Sequence, residues 1–239
     1  VEGKYVPGWD DSRMPTISGL RRRGYTPESV RNFAKRLGVA RRDSITDVAL
    51  LEFSIREHLN EIAPRMMAVL DPLKLIITNY PAGETELLSI ENNPEKPETG
   101  SRNVSFANEL WIEQDDFTEN PPKGYFRLSP GKMVRLKGAY IVRCDEVIKD
   151  PDSGKVTALH CTYIPESRSG SDTSGINVKG TIHWADARTA EVAEVRMYDR
   201  LFTCENPGAE DNFLEWLNAD SLKVIPNAFV EAGLRIEPG

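Results

Sequence analysis

The chain has 239 residues, of which 39% are hydrophobic and 28% are charged, a balance that is ordinary for a soluble globular protein of one large or two small domains. No apolar run approaches the roughly 20 residues of a membrane helix and no signal peptide opens the chain, so a membrane partner is not expected. Three widely spaced cysteines without a CxxC pair argue against a zinc knuckle or a disulfide framework and favour a reducing cytoplasm.

Charge is distributed unevenly along the chain. The net charge of −7 argues against a generic nucleic-acid binder, but residues 1–42 contain ten Lys or Arg against four Asp or Glu. The rest of the chain contains 20 against 33, yet residues 120–144, which we call the basic stretch, contain six basic residues and no acidic one. Local patches of this kind, more than the net charge, determine where a polyanion can bind.

Two helices are predicted early in the chain. Thr26 is a good N-cap, Pro27 suits the first helical position, and Gly38 supplies a C-terminal stop. The residues between them have apolar side chains at helical spacing. A second helix is predicted over residues 46–63 and ends before Pro64. Together the two helices form a predicted helical hairpin.

Beyond this hairpin, short segments with strand composition alternate with turn signals, a pattern that is typical of barrels or sandwiches. The segment Asp150–Gly154 has the composition of a turn and indicates a long β-hairpin around it. The sequence therefore predicts an α+β fold, in which an N-terminal helical subdomain is followed by mostly antiparallel strands. The predicted strands are residues 73–80, 103–113, 132–149, 155–164, 178–184, 192–203 and 222–231, and a short helix is predicted at 213–217.

Three adjacent arginines, Arg21, Arg22 and Arg23, precede the first predicted helix. Guanidinium groups offer paired donors that match phosphate oxygens, and such contacts position an RNA without reading its sequence. The alternative is a charge run that is merely solvated. For the nearby Asp10 and Asp11 we expect ion pairs with neighbouring arginines rather than a metal site, because the loop offers no third ligand.

Aromatic residues lie among the cations of the basic stretch, namely Tyr125, Phe126 and Tyr140. Sequence-specific RNA recognition mostly uses splayed bases that stack on aromatic rings and are held by Arg or Lys. Strand alternation places Arg135 and Lys137 on one face, two residues apart, which suits a phosphate or a base edge. The basic stretch is therefore a candidate platform for single-stranded RNA, and a cationic face on a twisted sheet is the alternative.

No arrangement in the sequence has the pattern of a catalytic centre. The three histidines, His58, His160 and His183, are far apart, and no Ser/His/Asp or Cys/His arrangement, P-loop or GxGxxG motif is present. We therefore expect structural roles for the histidines, and neither a catalytic residue nor a metal site in this chain.

Residues 9–25, WDDSRMPTISGLRRRGY, resemble the signature segment that follows the second ATP-binding motif in glutaminyl-tRNA synthetases, a family of class I aminoacyl-tRNA synthetases. Further blocks resemble the same family in the same order and extend the resemblance over nearly the whole chain. These blocks are Asn60–Arg65, Asp71–Lys74, Lys96–Arg102, Lys179–Trp184 and Tyr198–Phe202.

The resemblance implies the fold in more detail. Residues 1–66 would form a helical connecting subdomain after the catalytic domain, followed by two mostly antiparallel β-barrels that bind an anticodon and are similar to a ribosomal-protein barrel. Residues 67–97 and 175–239 would form the proximal barrel, and residues 98–174 the distal barrel. The chain would then be a C-terminal fragment that lacks the two ATP-binding motifs, and further strands beyond it would complete the proximal barrel.

The resemblance also implies an activity. Members of this family form glutaminyl-adenylate from glutamine and ATP and transfer the amino acid to the terminal ribose of tRNA(Gln). The fragment would bind tRNA(Gln) as a monomer in the cytoplasm, would bind neither DNA nor a membrane, and would be inactive alone. ATP and Mg²⁺ would belong to the parent enzyme, and the fragment would bind no cofactor.

Individual roles follow from the positions that match the family. The resemblance implies an anticodon contact for Arg65 and base-reading or phosphate-holding roles for Tyr125, Arg127 and Arg135. The complete set of expected RNA-binding residues is Arg21, Arg22, Arg23, Arg65, Lys123, Tyr125, Arg127, Arg135 and Lys137.

Four positions depart from the family pattern. Lys137 stands where bacterial members usually carry arginine, which keeps the charge but loses the bidentate fork. Gly124 stands where a glutamine is expected, Glu95 where an asparagine is expected, and Ser12 replaces a proline. These departures leave the resemblance intact and concern how individual bases are read.

Other functions remain open from the sequence. Archaeal and eukaryotic glutamyl-tRNA synthetases share the barrel module and a similar signature, although Met14 and the segment Ile17–Gly19 favour the glutamine enzyme. A different class of function would be a free-standing β-barrel that binds RNA or the ribosome, or a protein-binding barrel whose charge is incidental.

Overall fold

The computed structural model describes residues 1–42 and 44–234, which divide into two compact units. The first unit contains residues 1–42, 44–64 and 196–225, and the second contains residues 65–195 and 226–234. The α+β prediction is confirmed, since the described α-helices belong to the first unit and the largest sheet belongs to the second. The end of the predicted proximal barrel, residues 235–239, lies outside the described residues.

The helices are α1 (Ile17–Arg22), α2 (Pro27–Leu37) and α3 (Val48–Ile62). α2 begins and ends as predicted: Thr26 Oγ1 accepts a hydrogen bond from the amide of Ser29 at 3.1 Å, and Gly38 ends the helix with a φ of 67°. α3 matches the second predicted helix within two residues and is capped by Asp47. α1 has no counterpart in the prediction, because six residues are too few to show a helical periodicity.

Most of the described strands lie in the second unit. The described strands are β1 (Ala68–Val69), β2 (Pro72–Ile77), β3 (Glu86–Glu91), β4 (Ser101–Phe106), β5 (Glu109–Glu113), β6 (Met133–Leu136), β7 (Ile141–Lys149), β8 (Val156–Ile164), β9 (Thr181–Ile182), β10 (Ala185–Asp186), β11 (Glu191–Tyr198) and β12 (Leu222–Val230). The largest sheet is curled and has the order β10–β5–β2–β8–β7–β6–β9, with parallel pairing of β2 with β8 and of β6 with β9. The remaining strands form a pair, β3–β4, and a sheet in the order β1–β12–β11.

Two of the predicted strands are divided in the structure. The hairpin around Asp150–Gly154 is confirmed as β7 and β8, but the chain turns before β7 at Gly138, whose φ of 68° favours glycine. The strand predicted for residues 103–113 is β4 followed by β5, because β4 pairs with β3 whereas β5 pairs with β2. β3, which pairs with β4, has no counterpart in the prediction.

The core of the second unit is built on large apolar side chains. Trp184 and Phe106 are fully buried, and their rings meet edge to face with centroids 5.2 Å apart. Val134 and Leu136 are also fully buried, as the alternation in β6 predicts. Arg135 lies between them in sequence, so its side chain leaves the strand on the opposite face.

Strands that we expected in different barrels share one sheet. β2, β9 and β10 lie in the ranges predicted for the proximal barrel, whereas β5 to β8 lie in the range predicted for the distal barrel. The boundaries of the two barrels therefore stay a prediction.

Two general features of the described chain bear on function. Across residues 1–42 and 44–234, none of the helices combines the length and the apolar character needed to cross a bilayer. Within the same ranges, no group of three or more His, Cys, Asp or Glu side chains is arranged to hold a metal ion.

Candidate nucleic-acid interface

Residues 117–128, part of which belongs to the basic stretch, form a loop that is closed at its base by two backbone hydrogen bonds. The amide of Leu128 donates to the carbonyl of Asp116 at 2.9 Å, and the amide of Thr118 donates to the carbonyl of Leu128 at 3.1 Å. Lys123, within the loop, is exposed. The fold therefore anchors this 117–128 loop at its ends and leaves its central residues at the surface.

Arg127 lies at the end of the loop and forms an ion pair through Nη1 with Oδ1 of Asp116. The Arg127 side chain is 52% exposed, whereas the Asp116 side chain is 3% exposed. Burial raises the pKa of Asp116, and the positive charge of Arg127 opposes that increase. The exposed guanidinium of Arg127 is therefore paired with a buried carboxylate. It is accessible to a ligand, and the ion pair restrains its orientation.

Tyr125 and Gly124 occupy the middle of the loop. The Tyr125 hydroxyl donates to the backbone carbonyl of Asp115 at 3.1 Å, and burial raises the pKa of this hydroxyl, so it stays a donor at neutral pH. Gly124 has a φ of 89°, which favours glycine. The glutamine that the family resemblance leads one to expect at this position would be strained in this backbone conformation.

Phe126 presents an exposed aromatic ring, with 54% of the residue accessible. Lys179 Nζ lies 5.1 Å from the ring centroid, a distance suited to a cation–π contact. The neighbouring Gly180 allows this approach, because a Cβ atom there would lie 1.6 Å from the carbonyl oxygen of Phe126. Sequence reasoning missed Lys179, whose only signal was its place at the start of the block Lys179–Trp184.

Arg135 is engaged by its own chain. Nη1 donates to the carbonyl of Ser167 at 2.6 Å, and Nη2 donates to Oδ2 of Asp172 at 2.5 Å. The Arg135 side chain is only 22% exposed. Hydrogen bonds from Ser174 and then the contact with Arg135 lower the pKa of Asp172, so this carboxylate is charged at neutral pH. An RNA contact by this guanidinium requires displacement of Asp172.

Lys137 is half-buried, and its backbone is fixed on both sides. Its amide donates to the carbonyl of Ile182 at 2.9 Å, and its carbonyl accepts from Trp184 Nε1 at 3.0 Å. The core tryptophan thus holds the turn that follows β6, and it fixes the point from which the Lys137 side chain leaves the backbone.

The expectation that Tyr140 belongs to an aromatic platform is wrong. Tyr140 is 6% exposed, and its ring packs against Phe106 and Tyr163 with centroids 5.4 and 5.1 Å away. The turn at Gly138 changes the direction of the chain between the loop and Tyr140, so the ring points into the core.

Arg65 faces an acidic side chain. Its Nη2 lies 3.5 Å from Oε1 of Glu95, and the two side chains are 34% and 68% exposed. The backbone of Arg65 is fixed, since its amide donates to Asn92 at 2.7 Å and its carbonyl accepts from Arg102 Nη2 at 2.9 Å. The residue that departs from the family pattern at position 95 therefore forms an exposed ion pair with the arginine expected to contact the anticodon.

The cluster of three arginines belongs to the first unit. Arg22 pairs with Asp10 at 2.7 Å, and Arg23 donates to the carbonyl of Tyr198 at 3.3 Å, while Arg21 is exposed. Asp11 forms an ion pair at 2.8 Å with Arg13, whose contact lowers the pKa of Asp11. The prediction that Asp10 and Asp11 pair with neighbouring arginines is confirmed.

The second unit brings several predicted residues together around Gly180. The carbonyl of Gly180 accepts from the amide of Arg135 at 3.0 Å, and its backbone touches that of Phe126. β6 and the 117–128 loop are therefore neighbours on one surface. An exposed ring in contact with Lys179, with the accessible Arg127 next to it in sequence, suits base stacking and phosphate contacts.

Three family models match this chain. Residues 63–164 and residues 181–238 match two models that are both described as the anti-codon binding domain of class I tRNA synthetases (E and Q). Residues 1–61, which we expected to follow the catalytic domain, match the model described as the catalytic domain of the same group.

Curated relatives are similar over nearly the whole chain. The glutamine–tRNA ligase of Clostridium perfringens is 56% identical over 233 residues, which are 97% of this chain and 42% of the relative. The glutamine–tRNA ligase of Rhodopirellula baltica is 54% identical over 98% of this chain and 39% of the relative, and that of Bradyrhizobium diazoefficiens is 53% identical over 98% and 42%. The chain thus spans about 40% of the length of these relatives.

These relatives are named glutamine–tRNA ligases, and this does not favour the glutamyl-tRNA synthetase alternative. The three family matches agree with one another and follow in chain order. The chain belongs to the class I tRNA synthetases of the E and Q group.

Proposed function

We propose that this chain is the anticodon-binding portion of a glutamine–tRNA ligase and that it recognises tRNA(Gln). The supporting observation is its similarity to glutamine–tRNA ligases over 97–98% of its length. The whole protein would join glutamine to tRNA(Gln) with ATP and Mg²⁺, as a monomer in the cytoplasm. To this chain we assign RNA recognition and no catalytic residue.

Base contacts are assigned to the 117–128 loop. Arg127 would donate to a base edge from its exposed guanidinium, and Tyr125 would line the same site. Phe126 would supply a stacking surface, and stacking of a base on an aromatic side chain is worth about 1–3 kcal/mol. Lys123 and Lys179 would hold the adjacent phosphates as point charges.

The remaining expected residues would make further RNA contacts. Arg65 and Arg135 would contact RNA when it displaces Glu95 and Asp172, and Lys137 would bind a phosphate. The cluster Arg21, Arg22 and Arg23 would contact tRNA backbone. We retain the division into a helical subdomain (1–66), a proximal barrel (67–97 and 175–239) and a distal barrel (98–174) as part of the proposal.

Parallel binding measurements with tRNA(Gln) and tRNA(Glu) test the proposal. We expect tighter binding of tRNA(Gln) in fluorescence anisotropy, and a slope of log K against log salt of about −0.7 to −0.9 for each phosphate contacted. A tRNA(Gln) transcript that carries the tRNA(Glu) anticodon is the matched control. Equal affinity for all three RNAs would show a general RNA-binding barrel instead. The chain alone should give no ATP–pyrophosphate exchange, and detectable exchange would contradict the assignment of RNA recognition only.

A further inference from the structure

Asp116 has an unusual position for a carboxylate beside an RNA-binding surface. It ends a short helical turn, Gln114–Asp116, directly before the 117–128 loop, and it is 2% exposed. Oδ1 pairs with Arg127, whereas Oδ2 is buried and has no hydrogen-bond partner among the described residues. A buried polar atom without a partner is rare in folded proteins and calls for an explanation.

Stability does not explain this ion pair. Removing a carboxylate from water is unfavourable, and a pair with one well-solvated member recovers little of that loss. Burial raises the pKa of Asp116, which shows that the environment disfavours its charge. The charged groups that face Asp116 are Arg127, His183 and Glu113, and of these Arg127 forms the ion pair and its charge is the strongest opposing influence on that pKa.

The geometry of this ion pair indicates a role for Asp116 other than stabilising the fold. Arg127 has a long flexible side chain, and a guanidinium has five N–H donors in a planar fork. One contact at Nη1 restrains the plane of the fork and leaves other donors free for a ligand. The backbone of Asp116 is fixed, because its carbonyl accepts the hydrogen bond from Leu128 that closes the loop, and its side chain is buried.

We propose that Asp116 is a positioning residue, which orients the guanidinium of Arg127 for contact with an anticodon base. This inference rests on the proposed function. Asp116 does not touch the RNA, since it is buried and its negative charge would repel phosphate. Its effect on recognition passes through Arg127 alone.

The test compares Asp116→Asn with Asp115→Asn in the 239-residue chain. Asp115 is the exposed neighbour, so both variants remove one negative charge from the same place. The ligands are the anticodon stem-loop of tRNA(Gln) and the same stem-loop with one anticodon base changed. We expect Asp116→Asn to weaken cognate binding about tenfold and to shrink the preference for the cognate base, whereas Asp115→Asn leaves affinity equal or slightly higher.

A double-mutant cycle separates positioning from general structure. In an Arg127→Ala background, Asp116→Asn should cause no further loss of cognate affinity. An equal loss in both backgrounds would overturn the inference, and so would an unchanged base preference in Asp116→Asn. Thermal unfolding of each variant shows whether the chain remains folded, and Asp116→Glu, which keeps the charge, should restore part of the preference.

A readout without RNA distinguishes this inference from the proposed function. The Arg127 Nη–H resonances should be shifted from those of a solvated arginine in the free protein, and they should move towards the solvated position in Asp116→Asn. If the wild-type chain shows no preference for the cognate stem-loop, the proposed function fails and this inference fails with it. If the preference exists but the resonance and the cycle do not change, only the positioning role of Asp116 is overturned.

Discussion

His183 Nε2 lies 3.5 Å from Oε1 of Glu113, and the two side chains form a partly buried ion pair. Glu113 raises the pKa of His183 above its ordinary 6.5, although burial acts in the opposite direction. The same carboxylate accepts hydrogen bonds from the amides of Leu70 and Asp71 at 2.7 and 2.9 Å. Glu113 thus ties the end of β5 to the segment between β1 and β2, and a charged His183 strengthens this arrangement.

This pair predicts a pH dependence of stability. Because the folded-state pKa of His183 is higher than the unfolded value of 6.5, its contribution is fully present below pH 6.5 and is lost as the pH rises through the folded-state pKa. Urea titrations should show the free energy of unfolding falling over that range in the wild type. The decline should be smaller in His183→Gln, and an identical decline in that variant would assign the effect to other groups.

Replacement of Glu95 should strengthen RNA binding. Its exposed carboxylate competes with RNA for Arg65, and an exposed ion pair contributes about 0.2–1 kcal/mol, so the gain in Glu95→Gln should be up to about fivefold. Glu98→Gln is the matched control, since it removes an exposed charge nearby and keeps the Glu95–Arg65 pair. A similar gain in both variants, measured by anisotropy with tRNA(Gln), would mean that net charge alone is responsible.

Arg127→Ala should weaken cognate recognition selectively. Loss of a base contact by arginine typically weakens binding by about 1–3 kcal/mol against the cognate sequence and by far less against other sequences. The control is Arg31→Ala, which removes an exposed arginine that pairs with Glu28 on α2. Loss of equal size for tRNA(Gln) and tRNA(Glu) would assign a phosphate contact to Arg127 instead.

Gly180→Ala should displace the 117–128 loop or destabilise the second unit. The added methyl group would meet the Phe126 carbonyl oxygen at 1.6 Å, and overpacking of this kind destabilises proteins by about 1–3 kcal/mol. Gly208→Ala is a suitable control, because its nearest contact would be an ordinary 3.6 Å. Thermal unfolding measures the destabilisation, and binding of the anticodon stem-loop measures the displacement of the loop. Unchanged values for both would contradict the close backbone approach.

Local signals account for what could be predicted of the fold. The ends of α2 depend on Thr26, Pro27 and Gly38, which act within a few residues of the helix. The β7–β8 hairpin depends on its own turn in the same way. β3 and the division of the strand at 103–113 were missed because they depend on which strands pair, and pairing is decided by contacts far apart in sequence.

For the candidate site, too, local signals predicted some features, and others depend on contacts between residues far apart in sequence. Residue types and the family resemblance were enough to single out Arg65 and Arg127. The partner of Arg135 was not foreseen, since Asp172 lies 37 residues away in sequence and meets it only in the fold. Likewise, Lys179 reaches Phe126 from another segment of the chain, and Tyr140 turns inward after the bend at Gly138.

Gly180 and Phe126 meet through their backbones. The position of the 117–128 loop therefore does not depend on the side chains with which it would bind RNA. The distance of the 117–128 loop from β6 is determined by main-chain atoms and by the absence of a side chain at position 180. The exposed side chains of Lys123 and Phe126 can therefore be exchanged without moving the backbone that carries them. Single substitutions at these exposed positions would change the preferred base, whereas a side chain at position 180 would displace or destabilise the loop.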